Sequence, residues 1–387
     1  MSKKCKHNTV AMVGALPPIK GNAYYSMRLA QHMSKRLKVI FVAFKKMYPD
    51  FLYPGGVEDN DPNFQVIESE TLRIERIITY YNPLSWLKAA FLARTKVVHM
   101  QWWSLPLAPI YIVMLLLFRA ARRKVVFTVH NVMPHERRIL DKFVNKMVLS
   151  FGSAFIVHSA KNKLDLIKNF KMPEKHVHIV HMPVHDMYRT GGKSSWEVRA
   201  ALGIDSDRKI ILSFGNIRPY KGIDLLINGM PRILEMVPNA HLVIAGQDWG
   251  DWNETYGIMI KDAGISGNVT TRLDYIPMSE VGHLFEIADL VVLPYHHFDA
   301  QSGVGNIALS FDKPIVVSKV GGLPDLVKDE RAIFEPGDVD QMAERIAKIL
   351  TDQTIYAKLV HDSVALRNDF SWERAIDKTL RIYEELF

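Results

Sequence analysis

Ile210-Ile211-Leu212-Ser213-Phe214-Gly215-Asn216-Ile217-Arg218-Pro219-Tyr220-Lys221-Gly222 is the stretch on which the reading of this chain turns. The apolar run Ile210–Phe214 reads as a buried strand. It breaks at Gly215, and helical spacing takes over near Asp224, with Leu225, Leu226, Ile227 and Met230 on its apolar positions. The short loop between them carries two permanent cations, Arg218 and Lys221. A strand-loop-helix unit aims backbone N–H groups, a helix N-terminus and cationic side chains at one point, which suits a phosphate or diphosphate. The competing reading is an ordinary turn whose basic side chains are merely solvated.

A matching region lies downstream. Leu290-Val291-Val292-Leu293-Pro294-Tyr295 reads as a second buried strand, followed by the loop Asp299-Ala300-Gln301-Ser302-Gly303-Val304-Gly305-Asn306. A helical stretch, the strand Pro314–Ser318 and the turn Gly321-Gly322-Leu323-Pro324-Asp325 come next. With Glu335-Pro336-Gly337-Asp338 and Phe370-Ser371-Trp372-Glu373, these motifs stand in the order and spacing of the family 4 glycosyltransferases, which the chain resembles over nearly its whole length. The resemblance implies an α/β chain of GT-B architecture: two facing Rossmann-like domains with parallel sheets and a C-terminal helix crossing back to the first. The expected division is 1–183 with 371–387 for the acceptor domain, and 184–370 for the donor domain.

The N-terminal half alternates in the same way. Thr9–Val13, Val39–Phe44, Val97–Met100, Val125–Val129 and Ala154–Val157 read as parallel strands, and Tyr24–Leu37 as an amphipathic helix. Ligands of such sheets sit at the carboxyl ends of the strands, which singles out Pro17–Asn22 and His130-Asn131. Leu105–Phe118 is too short and too proline-bearing to span a bilayer. It reads as a core helix ahead of the basic turn Arg119, Arg122, Arg123, Lys124, with interfacial membrane contact as the alternative. Trp86–Arg94 mixes aromatic and cationic residues at helical spacing and is a second candidate for such contact. A hinge is expected near Pro183.

With 387 residues the chain is long enough for two domains. Its single cysteine, Cys5, excludes an internal disulfide framework, and the apolar stretch Thr9–Pro18 is short and lacks a small-residue cleavage site, so it reads as a first strand rather than a signal peptide. Residues 1–185 hold 28 Lys and Arg against 11 Asp and Glu, or +17, which leaves −9 on the remainder. A basic half faces something anionic. No nucleic-acid-binding module is present, so a membrane surface or a lipid diphosphate acceptor fits better.

The resemblance assigns roles residue by residue. Arg218 and Lys221 would bind the donor diphosphate and stabilise the charge that develops on it, helped by the close-approach glycine Gly21 and by the backbone of Gly303 and Val304. Asp299, Gln301 and Ser302 would hold the donor sugar, Gly246 and Asn306 the nucleoside, and His130 the reactive face of the sugar. Family members carry two glutamates eight positions apart; those places fall on Asp299 and on the apolar Ile307. Asn216 stands where arginine is commonest. His176 and His178, read as alternating on one strand, together with His181, His185, His296 and His297, suggest a metal, but no cysteine or carboxylate completes a ligand set.

The function that follows is retaining transfer of a sugar from a nucleoside diphosphate sugar to a glycan or lipid-linked acceptor. No cofactor and no metal are expected, and the site of action would be cytoplasmic or at the inner membrane face. The alternative is a nucleotide-sugar-binding protein without transfer. A dehydrogenase would need a glycine fingerprint that the chain lacks, and an epimerase would need an acid/base carboxylate pair. Whether the base is uracil, guanine or adenine does not show in the side chains.

Overall fold

Strands covered on both faces are near-continuous apolar runs, and Val10–Val13, Val97–Val98 and Ile210–Leu212 have almost no accessible surface. The computed structural model describes residues 9–19, 22–49, 68–132, 139–189, 192–248, 250–298 and 301–387. Unit 1 comprises Met1–His181 with Trp372–Phe387, and unit 2 Met182–Ser371.

Unit 1 runs β1 (Thr9–Gly14), α1 (Ala23–Ser34), β2 (Lys38–Lys46), β3 (Leu72–Thr79), α2 (Pro83–Leu92), β4 (Val97–Trp102), α3 (Ala108–Ala120), β5 (Lys124–Val129), α4 (Ile139–Leu149), β6 (Ala154–Val157), α5 (Ala160–Phe170) and β7 (Val177–Ile179). All pairs are parallel, in the order β3-β2-β1-β4-β5-β6-β7. The order reverses between β1 and β4, and right-handed crossovers therefore put α1 on one face and α2 to α5 on the other. Leu105–Leu107 is a 3-10 turn leading into α3, whose Ile110, Tyr111, Met114, Leu115 and Phe118 enter the core.

Unit 2 runs α6 (Ser195–Ala201), β8 (Lys209–Phe214), α7 (Ile223–Met236), β9 (Ala240–Ala245), α8 (Ile258–Asp262), β10 (Val269–Arg272), α9 (Met278–Ile287), β11 (Leu290–Leu293), α10 (Gly303–Ser310), β12 (Ile315–Ser318), β13 (Ile333–Phe334), α11 (Val339–Thr351) and α12 (Gln353–Asp369). Its parallel sheet is ordered β10-β9-β8-β11-β12-β13, so the order reverses between β8 and β11. The last helix, α13 (Trp372–Glu384), belongs to unit 1. Trp372 stacks on His32 of α1, and Tyr383 reaches His99 of β4. His176 departs from expectation: it closes a 3-10 turn (Glu174–His176) before β7, so His176 and His178 do not share a strand face. The backbone N–H of His176 caps that turn on the Pro173 carbonyl instead of joining the sheet.

Candidate functional site

In unit 2 the loop after β8 and the head of α10 converge at the switch point between β8 and β11, where doubly wound sheets bind ligands. Gly215 has φ +99°, and a side chain on it would sit 2.6 Å from Lys221 Nζ and 3.3 Å from Val304 Cγ2. Only glycine leaves the ammonium that place. Lys221 is 9 % exposed, its Nζ lies 3.5 Å from the Phe214 carbonyl oxygen, and it enters no ion pair among the described residues. Burial pushes its ammonium down to about 8, with Arg218 adding repulsion. Arg218 is exposed on the same turn.

The turn is fixed to the β11 loop by contacts that span the sequence. His296 donates its N–H to the Tyr220 carbonyl (2.8 Å), and its Nε2 meets both carboxylate oxygens of Asp224 (2.9 and 3.0 Å). Tyr220 stacks on Phe298 and meets Tyr295 edge-on. His297 packs against Tyr220 as well. None of these partners is legible in the sequence, since Asp224 and His296 lie 72 positions apart.

At α10, the Ser302 hydroxyl caps the helix by accepting from Gly305 N–H at 3.3 Å, which leaves the N–H groups of Gly303 and Val304 at its head. Gln301 is buried; its Oε1 accepts from Met182 N–H (2.8 Å), while its Nε2 has no partner among the described residues. Asn306 is fully buried, donates Nδ2–H to the Ser302 carbonyl, and leaves Oδ1 unpaired. Ile307 packs in the core. Gly246 directly follows β9 with φ +146°, and a Cβ there would collide with the Gly215 carbonyl at 2.3 Å. Its lack of a side chain is therefore required by packing alone. Gly21 and Asp299 lie outside the described residues.

In unit 1, His130 follows β5 and joins a buried network drawn from three strands and two helices. His130 Nε2 meets Gln101 Oε1 (2.8 Å), Gln101 Nε2 faces His99 Nε2 (3.5 Å), and His99 also meets Thr128 Oγ1 (2.7 Å) and Tyr383 OH (2.5 Å). Tyr25 packs edge-on against both His130 and His158, and bonds to Thr128. Burial and mutual repulsion hold His99 at about 3, His158 at about 4 and His130 well below the ordinary imidazole range. With all three rings neutral, the donors can be assigned by counting. Tyr25 donates to Thr128, and Thr128 and Gln101 donate to His99 Nε2. His99 Nδ1–H then donates to Tyr383, and His130 Nε2–H to Gln101 Oε1. His130 Nδ1 is left as a bare, buried acceptor with no partner among the described residues. Gln101→Leu removes the acceptor for His130 Nε2–H and is expected to destabilise unit 1 by about 1–3 kcal/mol. Nitrogen-15 shifts of labelled histidine check the tautomer directly; a protonated His130 Nδ1 in the unmutated protein would contradict it.

Among the described residues no three His, Cys, Asp or Glu side chains group so as to hold a metal ion, and no helix is long and apolar enough to cross a membrane.

Two family models match the chain: Glycosyltransferase Family 4 over residues 19–186, and Glycosyl transferases group 1 over residues 194–363. A D-inositol 3-phosphate glycosyltransferase of Segniliparus rotundus is 29% identical over 201 residues, 51% of this chain and 44% of that protein. An uncharacterized glycosyltransferase of Methanocaldococcus jannaschii is 29% identical over 245 residues, 61% of each. The chain thus matches about half the length of these relatives. Among solved structures, Anabaena HepE in complex with UDP and glucose superposes with a TM-score of 0.74 at 15% identity, covering 98% of this chain and 100% of that one. Sucrose-phosphate synthase from Thermosynechococcus elongatus superposes with a TM-score of 0.73 at 18% identity, covering 98% and 99%.

Proposed function

Because the chain belongs to the glycosyl transferases of group 1 and family 4, with two Rossmann-like units of GT-B type, we propose that it transfers a sugar from a nucleoside diphosphate sugar to a glycan or lipid-linked acceptor. The observation that carries this reading is the buried Lys221 ammonium beside Val304 at the head of α10, with no ion-pair partner among the described residues. A desolvated cation and free helix N–H groups at one point await an anion.

As the bond from the anomeric carbon to the diphosphate oxygen breaks, negative charge grows on the leaving group. Lys221, Arg218 and the Gly303 and Val304 N–H groups stabilise it more in the transition state than in the ground state. In retention by a front-face path the acceptor oxygen bonds to the same face of that carbon, and its proton passes to the departing phosphate oxygen. Gln301 Nε2 offers a donor to the sugar and Asp299 an acceptor, while the family resemblance gives His130 its role toward the reactive face of the sugar. Gly21 would admit the diphosphate closely, and Gly246 and Asn306 would border the nucleoside. No metal takes part, so EDTA should leave turnover unchanged. The chain would work in the cytoplasm, or at the inner face of the membrane in exopolysaccharide or glycolipid assembly.

The test is calorimetry with UDP, GDP, ADP and their sugar conjugates. HepE was solved with UDP and glucose, and UDP is the first probe. One nucleotide should bind, and Arg218→Ala should lower kcat/KM by at least ~2 kcal/mol of transition-state stabilisation. Binding by none, or normal turnover without Arg218, would end the diphosphate assignment. A second reading, nucleotide-sugar binding without transfer, is favoured only by the buried, apolar Ile307 at the place of the second family glutamate. Binding without donor hydrolysis or transfer would select it.

A further inference from the structure

The outer surface of the α2–α3–α4 layer in unit 1 is both apolar and cationic. The three helices pack side by side on the same face of the sheet, α2 against α3 and α3 against α4. Their inner sides fill the core; their outer sides do not end in polar residues as a solvated layer would. Seven of the thirteen large apolar side chains exposed among the described residues fall between Tyr81 and Phe143. Leu84 (73 %) and Phe91 (58 %) stand on α2, Leu116 (54 %) and Leu117 on α3, and Phe143 (66 %) on α4. Scattered apolar residues are ordinary on a protein surface; a run of them across three adjacent helices is not.

The charge on this layer is of one sign. From Arg76 to His135 there is not one Asp or Glu, while eight Lys and Arg occur. Lys88, Arg94, Arg119, Arg122 and Lys124 are exposed, and none of them forms an ion pair among the described residues. Lys142 and Lys146 continue the set on α4 beside its one acid, Asp141. Elsewhere the surface cations are commonly matched, as Arg232 is with Asp340 and Glu344, and Lys358 with Asp329 and Asp362. The Arg94 guanidinium lies 3.6 Å from the Phe91 ring centroid, so aromatic and cation are presented together. Arg123 is engaged inward, donating to the Ala93 carbonyl at 2.6 Å, and serves the fold.

We propose that this layer docks on an anionic lipid bilayer, with the leucine and phenylalanine side chains entering the headgroup region and the flanking cations meeting lipid phosphates. Apolar side chains exposed without partners gain by leaving water, and unmatched cations gain at a negative surface; only an amphiphilic, anionic partner satisfies both. This deepens the lipid-linked branch of the proposed function and rests on it for its biological sense, but the docking itself involves neither nucleotide nor acceptor. A second copy of the chain would set these cations against the same cations, which disfavours a face-to-face dimer.

Co-sedimentation of the full chain with vesicles of equimolar phosphatidylglycerol and phosphatidylcholine is the test, with pure phosphatidylcholine as control. Binding is expected to the anionic vesicles only and to weaken with salt. Arg119→Gln, Arg122→Gln and Lys124→Gln should each weaken it about fivefold at low salt. Leu84→Ser with Phe91→Ser should weaken it at high salt as well, without lowering the melting temperature, since these side chains are exposed. Absence of binding to the anionic vesicles overturns the proposal. So does equal binding of wild type and both variant sets, or a concentration-dependent dimer that Leu84→Ser with Phe91→Ser dissolves. None of these outcomes bears on nucleotide binding, so the transferase reading fails or stands by its own test.

Discussion

Lys221→Ala is expected to lower turnover about 100- to 1,000-fold, the usual effect of removing one preorganised group that stabilises transition-state charge, while leaving the fold as stable as before or more so. These opposite effects have one cause. The ammonium is buried, with the Phe214 carbonyl at 3.5 Å, the Tyr295 ring centroid at 5.8 Å and no carboxylate opposite it among the described residues. Burial, and then Arg218, push its pKa down to about 8 from 10.5. A lysine depressed in the folded state disfavours folding wherever it is charged there. Its penalty is therefore complete below pH 8 and fades as pH rises from 8 to 10.5, by up to about 3 kcal/mol. A bound diphosphate supplies the missing counter-charge and draws the pKa back up. Nucleotide affinity should then be flat below pH 8 and fall toward tenfold per pH unit above it, in a range where the nucleotide's own phosphates, with a last pKa of about 6, no longer titrate. Lys221→Arg, a permanent cation, should flatten the profile. Calorimetric titration between neutral pH and pH 9.5 reads it. An affinity indifferent to pH, or an alanine variant with ordinary turnover, would remove Lys221 from the diphosphate site.

The sequence shows the cations of this site but not which one is buried. Arg218 and Lys221 are equal candidates on paper; what separates them is Gly215, whose bare Cα gives Lys221 Nζ its place, and Val304 from a helix more than eighty residues on. Strands were legible where both faces are covered, as in Ile210–Phe214 and Leu290–Leu293, because burial leaves an unbroken apolar run. The edge strand β3 was not: Leu72–Thr79 alternates Arg73, Glu75 and Arg76 with apolar residues, since one side of it faces water. His130 could be placed at a strand end, but its partners could not. Gln101 and His99 are brought to it by one other strand, β4, and Tyr25 and Tyr383 by α1 and α13 from the two ends of the chain, and no spacing rule encodes that. His176 was misplaced for a local reason, a 3-10 turn that ends one residue before the strand begins.

Acidification from pH 7.5 to 5.5 is expected to take about 3 kcal/mol or more from the stability of unit 1, a large share of the 5–15 kcal/mol typical of a domain. His99, His130 and His158 sit within one buried network, and none of the forces on their pKa values comes from a carboxylate. Burial is the largest cause for each; repulsion among the histidines, including His181, lowers them further, and only the Val180 carbonyl on His158 acts the other way. The unfolded rings titrate near 6.5, the folded ones at about 3 (His99), about 4 (His158) and well below the usual range (His130). A depressed folded pKa means that the unfolded state takes up protons that the folded state refuses. Stability is thus unaffected above the unfolded value and declines as pH falls below 6.5, continuing to about pH 3 where His99 itself titrates. At pH 5.5 His99 and His158 together contribute about 3 kcal/mol of that decline, and His130 adds to it in the same direction. Urea unfolding at a series of pH values measures it, and hydrogen exchange at β4, β5 and β6 locates it in unit 1. His99→Gln with His158→Gln should remove most of the pH dependence, at the expense of stability at pH 7.5. An unfolding midpoint that does not move between pH 7.5 and 5.5 would mean that these rings are hydrated or paired, and that His130 Nδ1 is not the bare acceptor assigned to it.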